Sequence, residues 1–266
     1  MRQQSRFLAS VAVTAMLATG LGGCQTMSDI TGSISPKPSA SAETDPHRAV
    51  ETTGERYRAD PKNVEAALDY GQALRASGQR SQAAAMLEQA TIAHPGDKAL
   101  LAAYGRALVD NGNFQQALDV LSRAHSPDNP DWRVLSVQGT ALDQLGRHDE
   151  ARRYYESALK IVPGEPTVLS NLGLSYMLSK NLPKAEEALR QAYASGRADA
   201  RVRQNLALVI GLQGRFAEAE QIVRADLPAD EAAANVAYLK QMLNRKDDPR
   251  TGAAGKMPVA SLSRPE

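Results

Sequence analysis

Cysteine is nearly absent. Cys24 is the only one among 266 residues, which excludes an intramolecular disulfide and a cysteine-based metal cluster. Net charge is lacking too, because 31 Lys and Arg stand against 30 Asp and Glu. No basic stripe is interleaved with aromatics, so nothing points to nucleic acid. Local clusters such as Arg147, Arg152 and Arg153 read as a solvated helix face. The apolar stretch at 7–20 falls short of the roughly 20 residues that span a bilayer. HExxH, GxSxG, Walker A and GxGxxG in a strand-to-helix context are all missing. His47, His94, His125 and His148 are scattered and read as exposed turn residues, and no Asp/Glu pair marks a cleft. These absences point away from an enzyme, a bound metal and a cofactor.

What the chain does have is a repeat. Gly71, Gly105, Gly139 and Gly173 recur every 34 residues, with Ala207 in the fifth place. Ala83, Ala117, Ala151, Ala185 and Ala219 keep the same step, as do Gly78, Gly112, Gly146 and Gly214, missing only at Lys180. A 34-residue period over five units resembles the tetratricopeptide array. The expected fold is therefore all-α: a solenoid of about five helix-turn-helix repeats at 64–97, 98–131, 132–165, 166–199 and 200–228. Within repeat two, Leu101, Tyr104 and Leu108 form one helical stripe, and Ala117, Leu121 and Ala124 form the facing one. Gly105 sits inside a helix at a cost of roughly 1 kcal/mol against alanine, so it needs a packing reason. The family implies close approach of the second helix. A helix over 46–59 precedes the repeats and covers their first face. A capping helix over 229–245 follows, with Asp230 as its N-cap and Ala232, Val236, Leu239 and Leu243 on its inner stripe.

The two ends read differently. Arg2 and Arg6 precede the apolar stretch, and Leu21-Gly22-Gly23-Cys24 resembles the lipobox of bacterial lipoproteins. Residues 1–23 are then a lipoprotein signal peptide and Cys24 the lipidated first residue. The resemblance implies several acyl chains on that cysteine, where one alone holds a membrane only marginally. Gln25 follows instead of Asp, which favours outer-membrane attachment facing the periplasm. The stretch 24–45 is rich in Ser, Thr and Pro and reads as a disordered tether with a reach on the order of 25 Å. Residues 246–266 show no periodicity and read as a disordered tail.

In tetratricopeptide proteins the first helix of each repeat lines a concave groove, and the family's facing positions carry over residue by residue. Repeat one supplies Glu65, Leu68, Asp69, Gln72 and Arg75, and repeat two Ala102, Arg106, Val109 and Asp110. Repeat three supplies Arg133, Ser136, Thr140, Asp143 and Gln144. The later repeats add Ser170, Asn171, Leu174, Met177 and Leu178, then Arg201, Gln204, Asn205, Leu208 and Leu212. One half is charged and polar, the other apolar. Asn171 and Asn205 stand 34 residues apart, and an amide suits the backbone of an extended peptide. Leu174, Met177, Leu178, Leu208 and Leu212 would take its apolar side chains. The alternative reading is a helix buried on both faces, since 206–210 is apolar all round and the capping helix can cover part of this surface.

Three stretches carry a closer resemblance: 117–147 (ALDVLSRAHSPDNPDWRVLSVQGTALDQLGR), 168–190 (VLSNLGLSYMLSKNLPKAEEALR) and 201–243. They are similar to the TadD-type lipoproteins of the Flp (Tad) pilus system. That resemblance implies a pilotin-like accessory factor whose partner is an outer-membrane secretin or another pilus assembly component. A general envelope adaptor for a protease or cell-wall enzyme, and a component docking through its convex face, are the alternatives.

Overall fold

The structure, a computed structural model, describes residues 46–246. The expected leader, Cys24 and the expected tether lie outside the described residues, as does the expected tail beyond Lys246. Twelve helices are described. α1 (Pro46–Ala59) leads into five pairs: α2 (Val64–Ala76) with α3 (Arg80–Ala93), α4 (Lys98–Asp110) with α5 (Phe114–Leu121), α6 (Trp132–Gln144) with α7 (His148–Ile161), α8 (Pro166–Leu178) with α9 (Leu182–Ala194), and α10 (Ala200–Leu212) with α11 (Phe216–Val223). α12 (Ala229–Lys246) closes the array.

Each boundary has a local cause. Asn63, Asp97, Asp131 and Asp199 occupy one repeat position, and each accepts a backbone N–H of the first helix it precedes. Such a cap contributes about 1 kcal/mol. In repeat four the position holds Glu165, which makes no cap bond; Pro166 starts that helix with its fixed φ instead. The turn after each first helix needs a left-handed residue. Gly146 supplies it at φ 76°, and Lys180 is driven into the same region at φ 61°.

The glycine ladder sets the distance between paired helices. A Cβ on Gly71 would lie 2.8 Å from Leu87 Cδ2, and one on Gly139 would lie 2.6 Å from Tyr155 Cε1. Gly105 meets Leu121 and Gly173 meets Leu189 in the same way. All four opposing side chains are almost wholly buried, worth roughly 1.5–3 kcal/mol each. Repeat five solves the contact differently: the pair is Ala207 and Val223, a methyl added on one side and a smaller side chain on the other. Its glycine has moved one turn on, to Gly211, where a Cβ would lie 2.5 Å from Leu239 Cδ2 of α12.

Every first helix touches the next first helix, and every second helix touches the first helix of the following repeat. Successive second helices do not approach one another in backbone among the described residues, although Arg190 of α9 reaches Glu218 of α11 at 2.5 Å by side chain. Neighbouring first helices are thus the closer set, and they form the inner face. α12 packs on α10 and α11, as α10 packs on α8 and α9, so it stands where a sixth first helix would. Ala232 is fully buried there, Val236, Leu239 and Leu243 are half-buried, and Tyr238 and Met242 stand exposed.

Three expectations change. α5 stops at Leu121, so Ala124 lies beyond it, yet stays buried. The stretch that follows holds Pro127 and Pro130 and forms a bridge between Ser126 and Asn129 instead of helix. Asp230 is not an N-cap, because α12 already begins at Ala229; the carboxylate sits in the first turn, where the helix dipole favours it. Asp226 stands at the ladder place of Ala90, Ala124, Ala158 and Ala192, where a small residue was due; it lies past the end of α11 and accepts from Nε and Nη2 of Arg203.

Gly71→Ala should cost about 1 kcal/mol net, overpacking of roughly 1–3 kcal/mol less about 1 kcal/mol of helix propensity. Combined with Leu87→Val the loss should fall short of the sum by about 1 kcal/mol in chemical denaturation, because the pair then imitates repeat five; strict additivity would contradict the fit. Arg203 holds the Asp226 carboxyl below the usual carboxylate range. Because the folded value is the lower one, the pairing stabilises fully above about pH 4 and is lost as pH falls through it. Asp226→Asn should therefore weaken hydrogen-exchange protection of α11 and α12 at neutral pH, and its difference from the unaltered chain should shrink as acid protonates the carboxylate.

Candidate binding surface along the first helices

The inner face is crossed by polar rungs that tie each first helix to the next. Arg75 of α2 pairs with Asp110 of α4 at 2.6 Å. Asn171 Nδ2 of α8 donates to Ser136 Oγ of α6 at 3.1 Å, and Asn205 Nδ2 of α10 donates to Ser170 Oγ of α8 at 3.0 Å. Both asparagines are half-buried, while both serines are buried. Each amide therefore spends one N–H on the array. The second N–H and the carbonyl carry no protein partner among the described residues, so a peptide backbone can still be met. The serines themselves repeat at 34 residues, and that spacing was the available sign of a rung.

The apolar half is narrower than the family positions suggest. Leu174, Met177, Leu208 and Leu212 are half-buried, Met177 against the core around Ile210 and Leu189. Leu178, at the end of α8, is the one exposed member, 48 % open. Beside Asn171 a cleft of about 80 Å³ lies between the N-terminal ends of α8 and α10, walled by Glu165, Ser170, Arg197 and Arg201.

Repeat three is tied differently. Asp143, expected at the groove, is buried and accepts from Ser175 Oγ at 2.7 Å, Tyr155 OH at 3.0 Å and His148 Nδ1 at 2.9 Å. Three helices, α6, α7 and α8, are knotted on one carboxylate. Burial, and then the Asp143 charge, push the Tyr155 phenol well above its usual range. Ser136 is likewise buried and offers nothing to a ligand. The histidines also depart from expectation. His148 belongs to this knot, His125 bonds Gln138 at 3.2 Å, and His94 is half-buried with its Nε2 enclosed. Only His47 is exposed.

The charged half holds a feature that sequence alone did not single out. A cleft of about 380 Å³ opens between α4, the irregular stretch after α5 and the start of α6, lined by Lys98, Ala102, His125, Trp132 and Arg133. The Arg133 guanidinium lies 4.5 Å above the Trp132 ring. Trp132 is the chain's single tryptophan, and the break in helix pattern at Pro127 and Pro130 was the sign of an altered repeat.

Tetratricopeptide repeat models match residues 40–107 and 74–138, residues 136–200 and residues 200–225. The chain belongs to the tetratricopeptide repeat family. No curated protein matches it. Among solved structures, that of PilW, described as a widely conserved type IV pilus biogenesis factor, aligns with a TM-score of 0.62 at 20% identity, over 73% of this chain and 91% of PilW. A thermophilic tetratricopeptide protein of Thermus thermophilus aligns at 0.59 and 23% identity, over 66% of this chain and 98% of its own. The Cut9-Hcn1 hetero-tetramer of the APC/C aligns at 0.62 and 15% identity, over 76% of this chain, which spans 40% of that structure's chain. At these identities the likeness is one of fold.

Asp143→Ala should cost on the order of 2–4 kcal/mol in urea unfolding, since it strands buried hydroxyls. Asn171→Ala should cost about 1 kcal/mol by loss of one rung. Equal losses would mean that the knot is no more than another rung.

Proposed function

We propose that this tetratricopeptide chain is a non-catalytic scaffold that holds a protein partner on the face lined by its first helices. The observation that carries this reading is the state of the inner face: its rungs leave part of each amide unmet at Asn171 and Asn205, and the first helices, which approach one another in backbone while the second helices do not, bring these groups side by side. A surface of this kind suits an extended segment laid across the array.

The finer reading is a role in pilus biogenesis as an outer-membrane-anchored, pilotin-like accessory to a secretin. Two things support it: the similarity of 117–147, 168–190 and 201–243 to TadD-type lipoproteins, and the shared fold with PilW. The lipobox-like Leu21–Cys24 motif supports an anchor at Cys24. An anchor, a tether and a groove together raise the effective concentration of a captured segment near the membrane, to the order of millimolar for a short link. No described helix is long and apolar enough to cross a membrane, so the anchor is the element that the reading depends on. A convex-face alternative has one observation of its own: Ile92, Ile161 and Tyr193 stand exposed near the ends of α3, α7 and α9.

Cys24→Ser should leave the circular dichroism of the chain unchanged and abolish piliation; full piliation would remove anchoring from the mechanism. Leu178→Asp should lose partner capture with little change in thermal midpoint, while Ile92→Asp with Tyr193→Asp should retain it. The reverse pattern would move the partner to the outer helices.

A further inference from the structure

The inner face holds one arginine, Arg106, with no ion-pair partner of its own. Arg75, Arg106 and Arg133 come from three successive first helices, α2, α4 and α6. Arg75 is engaged by Asp110. Arg106 is half-buried and makes no hydrogen bond and no ion pair among the described residues. Its two acidic neighbours are Asp110 and Asp131. Asp110 is taken by Arg75, and Asp131 accepts the backbone N–H of Arg133 as the N-cap of α6. Burial, and then the positive charges of Arg75 and Arg133, hold the Arg106 guanidinium below its usual range. A partly desolvated cation with no acceptor works against the fold. Departures of this kind concentrate where a ligand completes the site.

Arg133 extends the cationic surface into the 380 Å³ cleft, where it lies over Trp132 and where Lys98 also stands. The geometry points to an acidic, extended segment of a partner protein as the ligand of this half of the face, with Arg106 and Arg133 taking side-chain carboxylates and Trp132 lying alongside. Packed helices stand about 8–10 Å apart, and alternate residues of an extended chain are roughly 7 Å apart, so acids two positions apart can reach adjacent first helices. Arginine suits this task because its planar fork holds a carboxylate by two bonds. A nucleic acid fits less well. Trp132 is the one Trp, Tyr or Phe that lines the cleft, so successive bases find no stacking platform there, and Asp69, Asp110 and Asp131 interrupt any phosphate track.

This inference rests on the inner face being the partner-binding face. It can be tested apart from that reading, because Trp132 alone supplies the tryptophan emission of the full-length chain. The probe is hexaglutamate, acetylated and amidated so that only side chains are charged, compared with hexaglutamine and with a hexathymidylate strand. Hexaglutamate should change the emission saturably, hexaglutamine should not, and added salt should weaken the effect. Arg106→Gln should weaken binding about tenfold or more, and Arg133→Gln should do so independently. Arg106→Gln should not lower the thermal midpoint, because it removes a repelled, unpaired cation. No saturable response to hexaglutamate would overturn the inference, as would an equal response to hexaglutamine, tighter binding of hexathymidylate, or an Arg106→Gln chain of unchanged affinity. If hexaglutamate fails while Leu178→Asp still abolishes partner capture, the acidic ligand falls and the scaffold stands. If capture depends instead on Ile92 and Tyr193, the scaffold reading itself falls.

Discussion

A glycine in the middle of a first helix, facing a large side chain of the second, sets the separation of four of the five helix pairs. Gly71 meets Leu87, Gly105 meets Leu121, Gly139 meets Tyr155 and Gly173 meets Leu189. Everything larger depends on that separation. It lets the second helix reach the next repeat's first helix, and it draws successive first helices into contact. A repeat cannot bury its apolar face alone, so α1 and α12 complete the array at its two ends. Moving the glycine to Gly211 in repeat five shows the same constraint answered for a different partner, Leu239 of the closing helix.

The inner face follows from this geometry and carries two kinds of polar group. Some are consumed by the array: Asp110, Ser136, Ser170 and Asp143 all bind side chains of neighbouring helices. Others are left over, namely the free halves of Asn171 and Asn205 and the guanidinium of Arg106. The left-over groups divide between the two halves of the face. A peptide backbone suits the amide end, and carboxylates suit the arginine end, so one extended segment can use both.

The fold was legible because its causes are local or strictly periodic. A mid-helix glycine in four repeats, a turn residue after each first helix, and an Asn or Asp before four of the five first helices recur at one spacing and need no three-dimensional information. The site was legible only in outline. Asn171 and Asn205 were visible as a pair, but their hydrogen bonds depend on the register between neighbouring repeats, so they read as free amides when half of each is engaged. Asp143 looked like a groove residue because its three donors, Tyr155, His148 and Ser175, lie on two other helices. Arg106 looked like any other charged position; its isolation emerges only when Asp110 and Asp131 are seen to be taken. Lys180 was legible as an exception to the ladder, and the left-handed φ at that site shows the turn prevailing over the side chain.

The central claim is that a partner is held by the first helices and not by the second. Site-specific photo-crosslinking in living cells tests it most directly, with the reactive side chain placed at 102, 174 and 178 on first helices and at 92, 161 and 193 on second helices. The account predicts one partner adduct from the first set and none from the second. Adducts confined to 92, 161 and 193 would contradict it.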